Sequence, residues 1–91
     1  MDTDIIIPIY NAFDFTKKCI ETVIEHTDLT KHTLLLINDK STDQRILPLL
    51  NLFTTEYPSL NITIINNESN QGFVRTVNIG MQQSSRDVVL L

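Results

Sequence analysis

The sequence predicts an α/β domain in which about four parallel strands alternate with three helices. Three observations carry that expectation. Short apolar runs rich in β-branched residues recur at 4–9, 33–37, 61–65 and 87–91, roughly every 28 residues, the order expected of crossovers in a parallel sheet. Between each pair of runs the apolar residues change to helical spacing. The runs end in polar segments of a similar kind: Pro8-Ile9-Tyr10-Asn11, Asn38-Asp39-Lys40-Ser41 and Asn66-Asn67-Glu68-Ser69-Asn70-Gln71-Gly72. In an open parallel sheet the carboxyl ends of all strands share one edge, and that edge is where such folds bind ligands.

The first run, Asp4 to Ile9, is almost continuously apolar, as a strand buried on both faces must be. Pro8 and Asn11 end it. Asn11 is expected to cap a helix over 12–27 through its side-chain oxygen, with Asp14 favourably placed in the first turn. Phe13, Thr16, Ile20, Val23, Ile24 and Thr27 fall on one face of that helix. Thr33 to Ile37 repeats the strand signature. Asp39-Lys40-Ser41-Thr42-Asp43 then supplies capping residues before Ile46, Leu49, Leu50, Phe53 and Tyr57 at helical spacing. Pro48 cannot donate an amide and clashes with a preceding turn, so an irregular turn is expected first, with the regular helix starting near Leu47 or Pro48 and ending before Pro58. Asn61 to Ile65 alternates Ile and Thr as a third strand. Phe73, Val77 and Met81 mark one face of a third helix, and Asp87 to Leu91 forms the fourth strand. Gly80 inside the third helix costs about 1 kcal/mol against Ala, so a packing or ligand reason is expected for the Asn78/Gly80 pair.

At 91 residues, 42% hydrophobic and 20% charged, the chain fits one small globular domain. Its net charge of −4, with seven scattered Lys and Arg, argues against a nucleic-acid partner. The single Cys19 excludes an internal disulfide, and its place among Ile20, Val23 and Ile24 predicts a core-facing thiol in a reducing compartment. The acidic opening Met1-Asp2-Thr3-Asp4 is unlike a secretory signal, and no apolar run nears the ~18–20 residues needed to cross a bilayer. A cytoplasmic location is expected, compatible with a parent protein associated with a membrane.

Once the sheet assembles, Tyr10, Asn11, Asp39, Asn67, Asn70 and Gly72 should lie along one edge. They offer an aromatic face, an acidic acceptor, amides that donate and accept, and a glycine that lets backbone approach a ligand. Such a set suits a nucleoside diphosphate. The ring would pack on Tyr10, the base or ribose would bond Asp39, and the diphosphate would lie near the third loop, where helix amino termini favour an anion. Asp39 is expected at an exposed strand end, so that its loss would weaken binding and leave the fold intact. Asn11, Asp43 and Ser41 also suit helix capping, Tyr10 a strand-end aromatic, and Arg75 a solvated surface charge. His26 and His32 fall at the opposite end of the sheet. With Gly72 and Gly80 as its glycines, the chain lacks a glycine-rich phosphate loop after the first strand. It also lacks the acidic ends of a flavodoxin-like receiver domain, a Ser-His-Asp set and a Cys/His metal cluster.

These motifs, in this order, resemble the inverting glycosyltransferases of family 2, which share the GT-A nucleotide-sugar-binding fold. Ile5-Ile6-Ile7-Pro8-Ile9-Tyr10-Asn11 is similar to the family's first strand and its Pro-x-Tyr-Asn end. Asn38-Asp39-Lys40-Ser41-Thr42-Asp43 is similar to its Asp-Asp-x-Ser segment, and Asn70-Gln71-Gly72-Phe73 with Asn78-Ile79-Gly80 to its Asn-x-Gly-Phe and Asn-x-Gly pair. The resemblance covers nearly the whole chain. It implies a Rossmann-like GT-A nucleotide-binding half over 1–91, belonging to a parent that transfers a sugar from a nucleotide donor, a uridine diphosphate sugar first among them, to a glycan, lipid or protein acceptor with inversion.

On the same resemblance Pro8 and Tyr10 would lie against the base, Asp39 would bond the base or ribose, and Gly72 would lie near the nucleotide. Asn11, Asn70, Arg75 and Asn78 complete the implied nucleotide-sugar site. Asn38 departs from the pattern where the family often has an acid. The family's fourth strand leads into an Asp-x-Asp motif that holds a divalent metal, Mn or Mg, against the diphosphate, and a later carboxylate acts as general base. Neither lies in this sequence, so the 91-residue chain is expected to bind the nucleotide without being catalytically competent by itself. The alternative is a non-catalytic nucleotide-binding or scaffold module of the same fold, and a more distant one is an unrelated doubly wound domain for another small anion.

Overall fold

In the computed structural model, which describes residues 3–83 and 87–90 apart from the side chains at 73, 83 and 87–90, strands and helices alternate as the periodicity predicts. The order is β1 (Thr3–Ile9), α1 (Phe13–His26), β2 (Thr33–Asn38), α2 (Ile46–Glu56), β3 (Ile62–Asn66), α3 (Gly72–Gln83) and β4 (Asp87–Leu90). The expected side chains of Phe73 and of the fourth strand, and Leu91 itself, lie outside the described residues.

The four strands form one parallel sheet in the order β3-β2-β1-β4. The chain therefore steps outward from β1 to β3, and α3 carries it back past both inner strands to β4. Crossovers of one hand place helices on opposite faces when the direction of travel reverses. The core divides accordingly. On one face Ile5, Ile7, Ile9, Leu34 and Leu36 pack with Ile20 and Val23 of α1 and with Ile46, Leu49, Leu50 and Phe53 of α2. On the other, Ile6, Leu35 and Ile37 form a second cluster beneath α3. The two inner strands are buried on both faces, as their unbroken apolar runs require, whereas β3 at the edge is half-buried.

Gly80 shows how closely α3 approaches that cluster. A Cβ at this position would lie 2.6 Å from Ile37 Cδ1 and 3.0 Å from Ile6 Cδ1, so the glycine lets α3 sit directly on the sheet. Packing accounts for it. Among the described side chains of α3, Thr76 and Gly80 are the buried ones, while Met81 is exposed and Val77 half-buried. The expected Val77/Met81 face is thus rotated, because small residues that allow close approach carry little hydrophobic signal.

In α1, Thr16, Ile20 and Val23 are buried and Phe13 and Ile24 partly so, as expected. Cys19 is a free, half-buried thiol packed against this core, and burial raises its pKa. The helix start differs from expectation. Asn11 does not cap α1: both Asn11 (φ 56°) and Ala12 (φ 51°) are left-handed, and the N-cap position, Ala12, makes no side-chain capping bond. Helix α2 starts at Ile46, just before the expected point. The Ile46 amide donates to the Asp43 carbonyl (3.1 Å) and the Leu49 amide to the Arg45 carbonyl (3.1 Å). Pro48 thereby falls in the first turn, where its missing amide has no helical partner to lose. No helix among the described residues is long and apolar enough to cross a membrane.

Candidate functional site

The reversal of strand order beside β1 opens a cleft at the carboxyl edge, the topological switch point of an open α/β sheet. A cavity of about 380 Å³ lies there, within the size range of small-molecule sites. Pro8, Ile9 and Tyr10 line it from β1, Asp39 from the residue after β2, and Asn70, Gly72 and Thr76 from the third loop and α3. A larger hollow of about 610 Å³ runs along α1 beside Phe15, Cys19 and Val23. It is mostly apolar and lacks the convergent hydrogen-bonding groups of the cleft.

Asp39 organises the cleft and is not at an exposed strand end. It is 4% exposed. Its Oδ1 accepts from the Gln71 amide (2.7 Å) and Asn67 Nδ2 (2.8 Å), and its Oδ2 from the Gly72 amide (2.9 Å). Burial raises its pKa, but bonds from Gln71, Asn67, Gly72 and the Thr76 hydroxyl outweigh that effect, so the carboxyl titrates below its ordinary value of 3.8. Every one of those donors is neutral. The carboxylate is thus an ionised, acceptor-only group in the cavity. It also sits where an external anion was expected, on the amides of Gln71 and Gly72 at the start of α3, so its charge already offsets that helix terminus.

Asn11 has a different role from the one its sequence position predicts. Its Oδ1 accepts from the Asp43 amide (2.9 Å), its Nδ2 donates to Thr42 Oγ1 (3.0 Å), and its own amide donates to Ser41 Oγ (2.9 Å). Arg45 closes the same junction by lying 4.3 Å from the centre of the Phe13 ring and pairing with Asp43 at 2.7 Å. Asp43 bonds the Arg45 amide (3.0 Å) and so caps the turn before α2; its pKa is lowered to about 2, first by the Arg45 side chain. Asn38 is spent on structure too, donating to Asn66 Oδ1 (3.2 Å) and accepting from the Ser41 amide (3.0 Å).

Of the residues singled out from the sequence, Pro8, Tyr10, Asp39, Asn70 and Gly72 come together around the cavity. Tyr10 is half-exposed there, and Asn70 Nδ2 reaches the Asp39 carbonyl (3.4 Å). Gly72 is left-handed (φ 80°), with open space where a Cβ would stand. Asn11, Arg75 and Asn78 do not line the cavity; the last two are exposed on α3. Thr76, fully buried in the cavity wall, was not anticipated. Its signal was the spacing Gly72–Thr76–Gly80, one small or short residue per turn on the sheet-facing side.

The cleft does not supply a metal site by itself. No group of three or more His, Cys, Asp or Glu among the described residues could hold an ion, and the oxygens of Asp39 are already bonded to the third loop.

The sequence model described as glycosyl transferase family 2 matches residues 4–91. The chain belongs to glycosyl transferase family 2. It is 30% identical over 91 residues to the uncharacterised glycosyltransferase YwdF of Bacillus subtilis (strain 168), spanning all of itself but 31% of YwdF. Among solved structures, it resembles the mannosyltransferase PcManGT of Pyrobaculum calidifontis in complex with GDP-Man and Mn2+, with a TM-score of 0.81, 17% identity, and coverage of 91% of this chain and 24% of that one. GalNAc-T7 with UDP, GalNAc and Mn2+ gives a TM-score of 0.81 at 20% identity over 99% of this chain and 17% of its own. S. aureus TarS in complex with UDP gives 0.73 at 21% identity over 100% of this chain and 27% of its own. The fold of this family 2 chain is therefore that of GT-A glycosyltransferases, of whose solved chains it spans about a quarter or less.

Proposed function

We propose that this chain forms the donor-nucleotide site of an inverting glycosyltransferase that takes its sugar from a uridine diphosphate sugar. The observation that carries the reading is the ionised Asp39 in a cavity walled by Tyr10 and Pro8. A base stacked on Tyr10 would meet an acceptor-only group. That matches a base with a ring N–H, as in uracil, and opposes cytosine, whose corresponding nitrogen is itself an acceptor. Asn70 and Gly72 complete the wall toward the ribose, and Arg75 and Asn78, exposed further along α3, would meet a donor that extends beyond the cavity. Asn11 would act by holding the end of β1 from which Tyr10 projects.

The diphosphate needs neutralising charge that these residues do not provide, because Asp39 is itself an anion and already accepts the Gln71 and Gly72 amides at the start of α3. This supports a divalent metal held by groups beyond those described, in keeping with the Mn2+ in the complexes of PcManGT and GalNAc-T7. Bound there, such an ion would offset charge on the leaving diphosphate. The inversion rests on the family resemblance, as does the proposed cytoplasmic setting of the donor site on the sequence's composition.

The test is calorimetric titration of the protein with uridine, cytidine and guanosine diphosphates, with and without manganese, alongside Tyr10→Ala. Uridine diphosphate should bind and cytidine diphosphate should not. Loss of the stacking face should weaken binding roughly tenfold, since base–aromatic stacking contributes about 1–3 kcal/mol. Equal affinity for the uridine and cytidine forms would remove Asp39 from base recognition. No binding to a folded protein would overturn the nucleotide reading.

A further inference from the structure

We propose that Asn67 and Thr76 are positioning residues that hold the Asp39 carboxylate in one orientation, aimed at a ligand N–H in the cavity. The inference rests on the cavity being the nucleotide site and adds to that reading the two side chains that aim its acceptor.

Asn67 is the first residue past β3. Its amide donates to the Asn38 carbonyl (2.9 Å), which extends the β2–β3 ladder by one residue and fixes Asn67 beside the end of β2. From there its Nδ2 donates to Asp39 Oδ1 (2.8 Å) and to Thr76 Oγ1 (3.2 Å). A side-chain amide carries two protons, so the two acceptors use both. Thr76 lies fully buried on the sheet side of α3. Packing alone does not call for threonine there, because valine has nearly the same shape; what threonine adds is a hydroxyl whose oxygen accepts the second Asn67 proton and which itself bonds Asp39. That oxygen would be costly to bury without a partner, and no buried side-chain polar atom among the described residues lacks one.

Both carboxylate oxygens are engaged. Oδ1 takes the Gln71 amide and Asn67, which fills its two acceptor positions, Oδ2 takes the Gly72 amide, and the Thr76 hydroxyl adds a further bond to the carboxylate. Without Asn67, Oδ1 would keep one donor and the carboxylate could turn. Without the Thr76 hydroxyl, Asp39 would lose a direct bond, and Asn67 would keep an unpaired proton and its own orientation would loosen. Asp39 and Tyr10 are the titratable groups that line this cavity, and the donors around the carboxylate are all neutral, so its charge is held by hydrogen-bond geometry alone.

The experiment uses the full-length protein with Asn67→Ala, Thr76→Val and Thr76→Ser. Asp39 titration is followed by NMR at its carboxyl carbon, uridine diphosphate affinity by calorimetry, and folding by thermal unfolding. Asn67→Ala and Thr76→Val should each move the Asp39 titration upward, because a donor to the charged form, or its support, has been removed. Each should weaken uridine diphosphate binding, roughly tenfold for Asn67→Ala and less for Thr76→Val. Thr76→Ser, which keeps the hydroxyl, should match the parent protein in both. An Asp39 titration unchanged in folded Asn67→Ala, or Thr76→Val and Thr76→Ser behaving alike, would overturn the proposal. If Asn67→Ala does not fold, the nearly isosteric Thr76 pair decides it. If the parent protein binds no nucleotide, the functional reading fails while the Asp39 titration still reports on the two positioning residues.

Discussion

At the end of β1, Asn11 reaches across to the loop after β2 and bonds Thr42 and Asp43; just past β2, Asp39 reaches across to the loop after β3 and bonds Asn67, Gln71 and Gly72. Both junctions tie one strand end to the loop of its neighbour, and both rely on a polar side chain about thirty residues from its partners. Their outcomes differ. Asn11 is neutral, half-exposed and outside the cavity, while Asp39 is charged, buried and in its wall. The cause is the strand order. Helices α1 and α2 lie on one face, so the first junction closes on itself. Helix α3 lies on the other face, and the second junction opens into the cleft where the order reverses. One kind of polar tie therefore serves as a brace in one place and as part of a site in the other.

Asp39→Ala is expected to give the largest effect, because it breaks the second junction outright. It would strand the donors of Gln71, Gly72 and Asn67, and bonds to a charged acceptor contribute about 1.5–3 kcal/mol each. We expect a stability loss of about 3 kcal/mol or more in urea unfolding, together with loss of nucleotide binding. A fold unaffected by the substitution would return Asp39 to the exposed role first read from the sequence. Acid should reproduce a milder form of the same change. The folded-state pKa of Asp39 is depressed, so its contribution is present in full above the unfolded value of 3.8 and is lost as pH falls through the lower folded value. Protonation removes the charge but keeps an acceptor oxygen, hence the smaller loss. Gln71 and Gly72 amide shifts followed through an acid titration would locate the transition, and an Asp39→Asn protein should already show the acid-state shifts at neutral pH.

Asn11→Ala comes next and separates the two junctions most directly. It removes the bonds to Thr42 and Asp43 and places alanine in a left-handed conformation that asparagine tolerates better. A loss of about 1–2 kcal/mol is expected, with uridine diphosphate affinity of the folded variant changed less than about threefold, a difference well under 1 kcal/mol. A binding loss as large as that of Asp39→Ala would show that the brace also belongs to the site.

The regular elements were readable because each leaves a local pattern: β1 and β2 as unbroken apolar runs, α1 and α2 as faces at helical spacing. The junctions were less so. That Asn11 would bond Asp43 rather than its own helix, and that α3 would bring its first amides onto Asp39, depends on contacts across some thirty residues that no local period records. The same limit hid Thr76. A threonine within a helix reads as a surface residue until Gly72 and Gly80, one turn to either side, are seen to bring that face onto the sheet. Asp43, read as a helix cap, instead caps the turn before α2 by bonding the Arg45 amide two residues on, while Arg45 itself holds the N-cap position without a side-chain capping bond.

The smallest expected effect concerns Arg75, which the family resemblance places near the donor and the structure places on the exposed side of α3, outside the cavity lining. If the cleft alone holds the nucleoside, Arg75→Ala should leave uridine binding unchanged, since the lost guanidinium touches neither the base nor Asp39. A diphosphate is different, because its charge acts beyond contact distance. An exposed cation near such a group contributes at most about 1 kcal/mol, and the interaction is screened with a Debye length near 8 Å at physiological ionic strength and about 3 Å at 1 M. Arg75→Ala should therefore weaken uridine diphosphate binding by no more than about fivefold at low salt, and the difference from the parent protein should disappear at 1 M salt. A salt-independent loss, or one shared by uridine, would mean that Arg75 swings into the cleft when ligand binds, and the boundary between the cavity and the outer surface of α3 would have to be redrawn to include it.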